Sequence, residues 1–222
     1  MKFIFKYLFC TQFSASRLWK QLAYMLLSVV FFVSTSGCAS LLKPKLKQHL
    51  VDIKAGNYQL DPNHSTVLFK IDHMGFSKFI GRFNQFQARL TFDPEVIENS
   101  RLEAVVDMTS VDVNNEKFER ALKGRFWFDS EHYPQAIFKT TSATKVGEGQ
   151  LLFLGDLTFL GITEEIELHV KVNGAANNMI SGKYTMGFSA SASFSRSAFG
   201  LDRYVPTVGD LVELEIHAEF QQ

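Results

Sequence analysis

From residue 56 to residue 220 apolar and polar residues alternate with a period of two over almost the whole length, and few folds accept such a chain. Successive side chains of a strand point to opposite faces, so each alternating run has one buried and one wet face. That suits antiparallel strands and excludes a doubly wound parallel sheet, whose strands are apolar on both sides. Val67, Phe69, Ile71 and His73 share one face, with Lys70 and Asp72 opposite. Phe86, Ala88, Leu90 and Phe92 repeat the pattern, as do Leu102, Ala104, Val106 and Met108, and later Ile166, Leu168, Val170 and Val172. The longest run sets Ile180, Gly182, Tyr184, Met186, Phe188, Ala190, Ala192 and Phe194 on one face, and the last sets Val212, Leu214, Ile216, Ala218 and Phe220 inward.

Turn chemistry divides these runs. Gly147-Glu148-Gly149 separates two strands, Gly161 precedes Ile162, and Asn173-Gly174 with Asn177-Asn178 breaks the chain before Met179. One segment escapes the alternation: after Asn114-Asn115, Phe118, Ala121 and Leu122 fall at i, i+3 and i+4, which predicts a short helix ending at Gly124. The fold class is therefore all-β, with about eight antiparallel strands and one helix. Eight is the number at which a closed barrel either fills itself with side chains or encloses one small ligand.

The choice between a filled and a hollow barrel turns on residue size. Inward Tyr184, Met186, Phe188 and Phe194 alternate with Gly182, Ala190 and Ala192, and Ala88, Ala104 and Ala218 add further small positions. Small residues facing large ones either interdigitate into a solid core or leave a void lined by Phe, Leu, Ile and Val. Of the 22 Phe, 16 follow residue 38, an apolar surface large enough for either outcome. By parity the lumen-facing candidates are Phe69, Ile71, Phe86, Leu90, Val106, Phe159, Tyr184, Phe188 and Ile216. His73, inward at a strand end, and Arg196 are candidates for a polar mouth.

The amino-terminal region reads differently. Residues 1–37 carry four basic and no acidic residues and include the apolar run Leu22 to Val33, about a dozen residues, which suits a signal peptide and is short for a membrane span. The run ends in Thr35-Ser36-Gly37-Cys38-Ala39, similar to a bacterial lipobox, so Cys38 is the expected lipidated residue of an exported protein. The absence of Asp at residue 39 points to the outer membrane; a soluble periplasmic protein is the alternative. Residues 38–56 then form a tether, or a basic amphipathic stretch lying on the membrane. Residues 57–220 form the one domain.

From Gly56 onward 15 basic residues face 22 acidic ones, a balance that opposes binding nucleic acid through its phosphates. Cys10 and Cys38 are the only cysteines, so the domain has no disulfide, thiol nucleophile or thiolate metal site. There is no G-x-S-x-G, phosphate-binding loop or H-E-x-x-H motif, and the six histidines are scattered. No catalytic residue, metal ligand or cofactor is assigned.

With the strands laid out, several blocks resemble the YceI-like family of exported bacterial lipid-binding proteins. They are Asn57-Tyr58-Gln59-Leu60-Asp61 with His64-Ser65-Thr66-Val67, Gly81-Arg82-Phe83, Phe126-Trp127-Phe128-Asp129, Gly155-Asp156-Leu157-Thr158 through Gly161-Ile162-Thr163, Arg196-Ser197-Ala198-Phe199-Gly200 and Val208-Gly209-Asp210. The resemblance implies an extended lipocalin-like barrel whose lumen holds a long-chain amphiphile, a polyisoprenoid or isoprenoid quinone, bound and carried without catalysis; it leaves a homodimer open. Ala198 stands where an acidic residue is common, and Arg120-Ala121-Leu122 lacks the usual His, so headgroup contacts transfer least. Two rival readings follow from the residues: an enzyme acting on a lipid in the same cavity with His73 as acid/base, and a solid-cored stress or interaction protein.

Overall fold

The structure, a computed structural model, describes residues 19–26 and 43–222. The chain divides into two compact units, 1–43 and 44–222. In the first, 19–26 is helical, and no described helix is long and apolar enough to cross a membrane. Cys38, and most of the stretch read as a signal peptide, lie outside the described residues.

The second unit is a closed antiparallel barrel. Its strands are β1 (Gly56–Leu60), β2 (Thr66–His73), β3 (Ser77–Phe83), β4 (Phe86–Phe92), β5 (Arg101–Asp107), β6 (Val111–Asp112), β7 (Gln135–Gly147), β8 (Gln150–Phe159), β9 (Ile162–Asn177), β10 (Tyr184–Ser195) and β11 (Val208–Gln221). Three staves are broken in the middle: β1 continues into β2, β3 into β4 and β5 into β6, each pair of halves lying along one neighbouring stave. The eleven segments thus make eight staves in an up-and-down meander, closed where β11 pairs with β2 along most of its length and with β1 at Phe220 and Gln221.

The turns fall at two ends. One end holds the β2–β3 turn at Met74-Gly75, the 113–134 connection, the β8–β9 turn at Leu160-Gly161 and the 196–207 connection. The other holds the start of β1, the 93–100 loop, the two-residue Glu148-Gly149 turn with Gly149 at φ +62°, and the 178–183 turn. The predicted helix, α1 (Glu116–Lys123), belongs to the first end. The Asn115 side chain accepts from the Phe118 N–H at 3.1 Å, Gly124 terminates it, and Leu122 is buried while Ala121 faces water.

Several expectations are corrected. β10 begins at Tyr184, because 178–183 is a turn held by the Asn178 side chain, so Ile180 and Gly182 are not part of its buried face. The longest strand is β9, with 16 residues. Asn173-Gly174 lies inside β9 as a bulge: the register against β10 slips there, Gly174 takes φ +134°, and Asn173 Nδ2 donates to Ser189 Oγ at 3.0 Å. The chain from Lys47 to Ala55 is not a free tether. Lys47 bridges Ala175, and Leu50 and Ile53 are each 2% exposed, packed into the end of the barrel.

The core is uneven along the barrel axis. At the end joined by the incoming chain, Tyr58, Phe92, Ala143, Leu151, Ala175 and Met186 are essentially inaccessible and form a solid plug with Leu50 and Ile53. The Tyr58 hydroxyl donates to the Lys54 carbonyl at 2.6 Å, and burial, with Tyr184 beside it, pushes its pKa up to about 12. Gly155 points inward from β8 because the Phe138 ring takes the room of its side chain: a Cβ there would lie 2.5 Å from that ring and 2.6 Å from the Lys139 carbonyl. Since one of these neighbours is backbone, Gly155→Ala is expected to cost about 1–3 kcal/mol by overpacking, read as a lowered urea midpoint; Gly182→Ala, with open space around it, serves as the comparison at a positive-φ glycine.

Candidate functional site

Above the plug the inward face opens into two adjoining apolar chambers. The lower, about 130 Å³, is walled by Leu90, Ala104, Phe138, Phe153, Phe188 and Ile216 among others; the upper, about 110 Å³, by Phe69, Ile71, Phe128, Phe159, Arg196 and Val212 among others. Val67, Val106, Ala136, Leu157 and Leu214 border both. Apart from Arg196 every wall residue is hydrophobic. Ala104, Val106, Ala136, Ala190, Leu214 and Ile216 face inward by register yet remain only half-buried, because accessible surface persists inside the barrel. Apolar cavities on the order of 150 Å³ stay dry and take up benzene or xenon, so these chambers have the size and character of sites for hydrocarbon.

The size pattern explains the void. Ala88 sits directly across from Ala104 on β4 and β5, and Ala190 on β10 has Ile216 of β11 and Val170 of β9 as neighbours rather than rings, so small and aliphatic side chains leave the axis open where Phe pairs would close it. Edge-to-face rings frame the space: Phe188 against Phe220 at 5.4 Å, and Phe199 against Phe194 at 5.2 Å. The upper end is covered by α1 and its neighbours, where Phe118 meets Phe79 at 5.6 Å and Trp127 at 6.3 Å, and Trp127 meets Tyr204 at 6.1 Å.

Eight of the nine residues assigned to the lumen by parity line a chamber: Phe69, Ile71 and Phe159 the upper, Phe86, Leu90, Phe188 and Ile216 the lower, and Val106 both. Tyr184 does not. It belongs to the plug, with its ring 6.4 Å from Tyr58 and under Lys54. His73 does not reach either chamber. It ends β2 exposed, beyond a register slip between β2 and β11 that re-aims the stave, so parity no longer means inward there. Phe138, Phe153 and Leu157, from strands whose pattern was equally visible, complete the walls.

Arg196 is not a mouth residue. It is 1% exposed, and its guanidinium donates to the carbonyls of Gly209 at 2.8 Å, Leu201 at 2.6 Å and Val208 at 2.9 Å. Burial lowers its pKa, while Asp210 and Asp202 nearby favour its charge. Asp210 in turn accepts from the Ser197 N–H and hydroxyl at 2.9 and 2.8 Å. The two closing blocks noted in the sequence therefore lock to each other, and Arg196 shows the upper chamber mainly its stem.

A larger concavity, about 1000 Å³, lies elsewhere, on the outer wall of β9, β10 and β11 among Glu165, Glu167, His169, Ser191, Glu213 and His217. It is an open, wet saddle formed where the serine face of β10 is thin. Asp61, His64 and Glu219 also come together, but Asp61 is already engaged by His64, Gln221 and its own turn.

The sequence matches the YceI-like domain over residues 58–220, and the chain belongs to that family. A UPF0312 protein of Vibrio parahaemolyticus is 32% identical over 170 residues, 75% of this chain and 87% of its own length. Among solved structures, BcnA of Burkholderia cenocepacia superposes with a TM-score of 0.66 at 25% identity, covering 72% of this chain and 98% of BcnA. The YceI protein of Campylobacter jejuni gives 0.62 at 27% identity, covering 69% and 90%. A polyisoprenoid binding domain from Saccharophagus degradans gives 0.58 at 13% identity over 76% and 99%, a likeness of fold.

Replacing Arg196 strands three carbonyls at a buried turn. Arg196→Met is expected to lower stability by about 2–4 kcal/mol, measured by urea unfolding. Arg196→Lys, which keeps the charge but cannot span three acceptors, restores only part of it.

Proposed function

From a YceI-like barrel with an apolar, hydrocarbon-sized lumen, we propose that this protein binds and carries a long-chain isoprenoid lipid, a polyisoprenoid or an isoprenoid quinone, and catalyses no reaction on it. The observation that carries the reading is the character of the walls: two adjoining chambers with no polar group but the engaged Arg196 offer affinity through burial and nothing to do chemistry with. Each CH₂ buried contributes roughly 0.8 kcal/mol, so a run of isoprene units crossing both chambers gains several kcal/mol without a single hydrogen bond. A full-length chain links the two spaces by turning aside Leu157 and Leu214, which border both. The polyisoprenoid binding domain named among the structural neighbours supports the ligand class through shared architecture. The exposed position of His73, away from both chambers, weighs against an enzyme using it as acid/base on a bound lipid.

Cys38, by its lipobox-like setting, is proposed as the lipidated amino terminus of an exported, periplasm-facing protein, with the outer membrane as its site.

The test is organic extraction of purified protein followed by mass spectrometry, which is expected to return stoichiometric isoprenoid lipid, or uptake of quinone or polyprenol by stripped protein. Ala190→Leu sharpens it. In a hollow barrel the added carbons enter the lower chamber, leaving stability within about 1 kcal/mol and abolishing uptake. A loss of about 1–3 kcal/mol with no lipid recovered from either protein would instead indicate a solid core.

A further inference from the structure

The plugged end of the barrel carries an unpartnered surface. Val51, Val146, Met179 and Ile180 stand in water there, the last 84% exposed, with Leu46 half-exposed beside them. The bridge from Lys47 to Ala175 runs the incoming segment antiparallel to the end of β9, which brings Lys45 and Leu46 towards the 178–183 turn. Lys54, Lys145 and Lys183 belong to the same side. Lys54 lies over the Tyr184 ring, and Lys183 donates to Gln221 Oε1, whose amide in turn donates to Asp61, so neither lysine is in a direct ion pair. Asp52 and Glu148 stand among them, Glu148 held by His49 at 2.9 Å and Lys145 at 3.8 Å. Asp61, linked through Gln221 to Lys183, and Glu219 beside it also stand at this end, at the β1–β11 seam; Asp93, Glu95 and Glu98 sit in the β4–β5 connection, half-way round the ring from the β9–β10 turn.

We propose that this end docks on an anionic lipid bilayer, with Met179 and Ile180 entering the interfacial zone and Lys45, Lys54, Lys145 and Lys183 meeting headgroup phosphates. Exposed aliphatic tips ringed by lysines are the composition that partitions to such a surface. Connectivity selects the occupant, and here the inference rests on Cys38 being lipidated as proposed above. Five residues lie between Cys38 and Pro44, six steps or at most about 20 Å of extended chain, whereas β9 alone runs roughly 50 Å along its strand. A lipid on Cys38 therefore keeps the plugged end within reach of the bilayer, whereas the α1 end meets it only in a barrel lying on its side. Docking directs the solid plug to the anchoring membrane and turns the upper chamber away from it, so a luminal lipid is exchanged with acceptors on the far side.

The experiment uses the full-length protein on phosphatidylcholine vesicles with and without phosphatidylglycerol, with brominated acyl chains as quencher and the signal of the unsubstituted protein subtracted. Ile180→Trp, at an exposed turn position, is expected to shift to the blue and be quenched on the anionic vesicles, less so in high salt; Phe76→Trp, at the exposed β2–β3 turn of the opposite end, is expected to stay unquenched. In a Cys38→Ser background, which removes the anchor, each of Lys145→Gln and Lys183→Gln should weaken the anionic association about fivefold. Quenching at Phe76→Trp, none at Ile180→Trp, or indifference to phosphatidylglycerol would each overturn the proposal. Lipid extraction from the lumen reads the binding function separately, so failure of one does not imply failure of the other.

Discussion

Closure through β11 is the constraint on which the rest of the barrel depends. This strand pairs with three others: β10 from Leu211 to Gln221, β2 from Val208 to His217 and β1 at its last residues. A sheet left open there would expose two edges of unpaired backbone, the arrangement that invites aggregation. The seam is fastened at both ends. Arg196 takes the carbonyls of Val208 and Gly209 where β11 begins, and near its end Gln221 donates to the Asp61 carboxylate while Ser65 Oγ accepts from the Glu219 N–H. Burying a guanidinium is costly unless its donors are satisfied, and here three backbone carbonyls supply that satisfaction at a point where the turn would otherwise leave them bare.

Once the ring is closed, residue size decides what lies inside it. Tyr58, Phe92, Leu151 and Met186 fill one end completely, and the Ala88–Ala104 pair and Ala190 farther along the axis do not. The result is a lumen graded from a packed plug to two narrow chambers, whose walls select for apolarity and length and hardly for headgroup. Such walls suit retention and transfer of a greasy chain better than chemical discrimination among headgroups, because specificity of that kind needs buried polar groups that a wrong ligand leaves unpaired.

Much of this was legible in the sequence, for a physical reason: a stave with one wet face must alternate, so parity alone finds the wall. It located eight luminal residues, among them Phe69, Phe188 and Ile216, and the α1 helix through its Asn and Gly boundaries. Parity fails where the stave bends or stops. His73 lies past a slip in register, and Tyr184 alternates correctly but at a level where the barrel is solid. The Asn173-Gly174 dipeptide has the same local chemistry in a turn and in a bulge, and only the partner strand distinguishes them. An isolated charge on a strand end reads as solvent-facing, which makes Arg196 a headgroup candidate; two of the three carbonyls that hold it come from a segment a dozen residues away.

Crystals of delipidated protein exposed to xenon under pressure examine the hollow interior most directly, since the gas reports apolar void irrespective of which lipid the protein carries. A hollow lumen predicts xenon at two levels of the barrel axis, one among Phe153, Phe188 and Ile216 and one among Phe69, Phe159 and Val212. An interior free of xenon at saturating pressure, with Leu157 and Leu214 packed against the opposite wall, would contradict it.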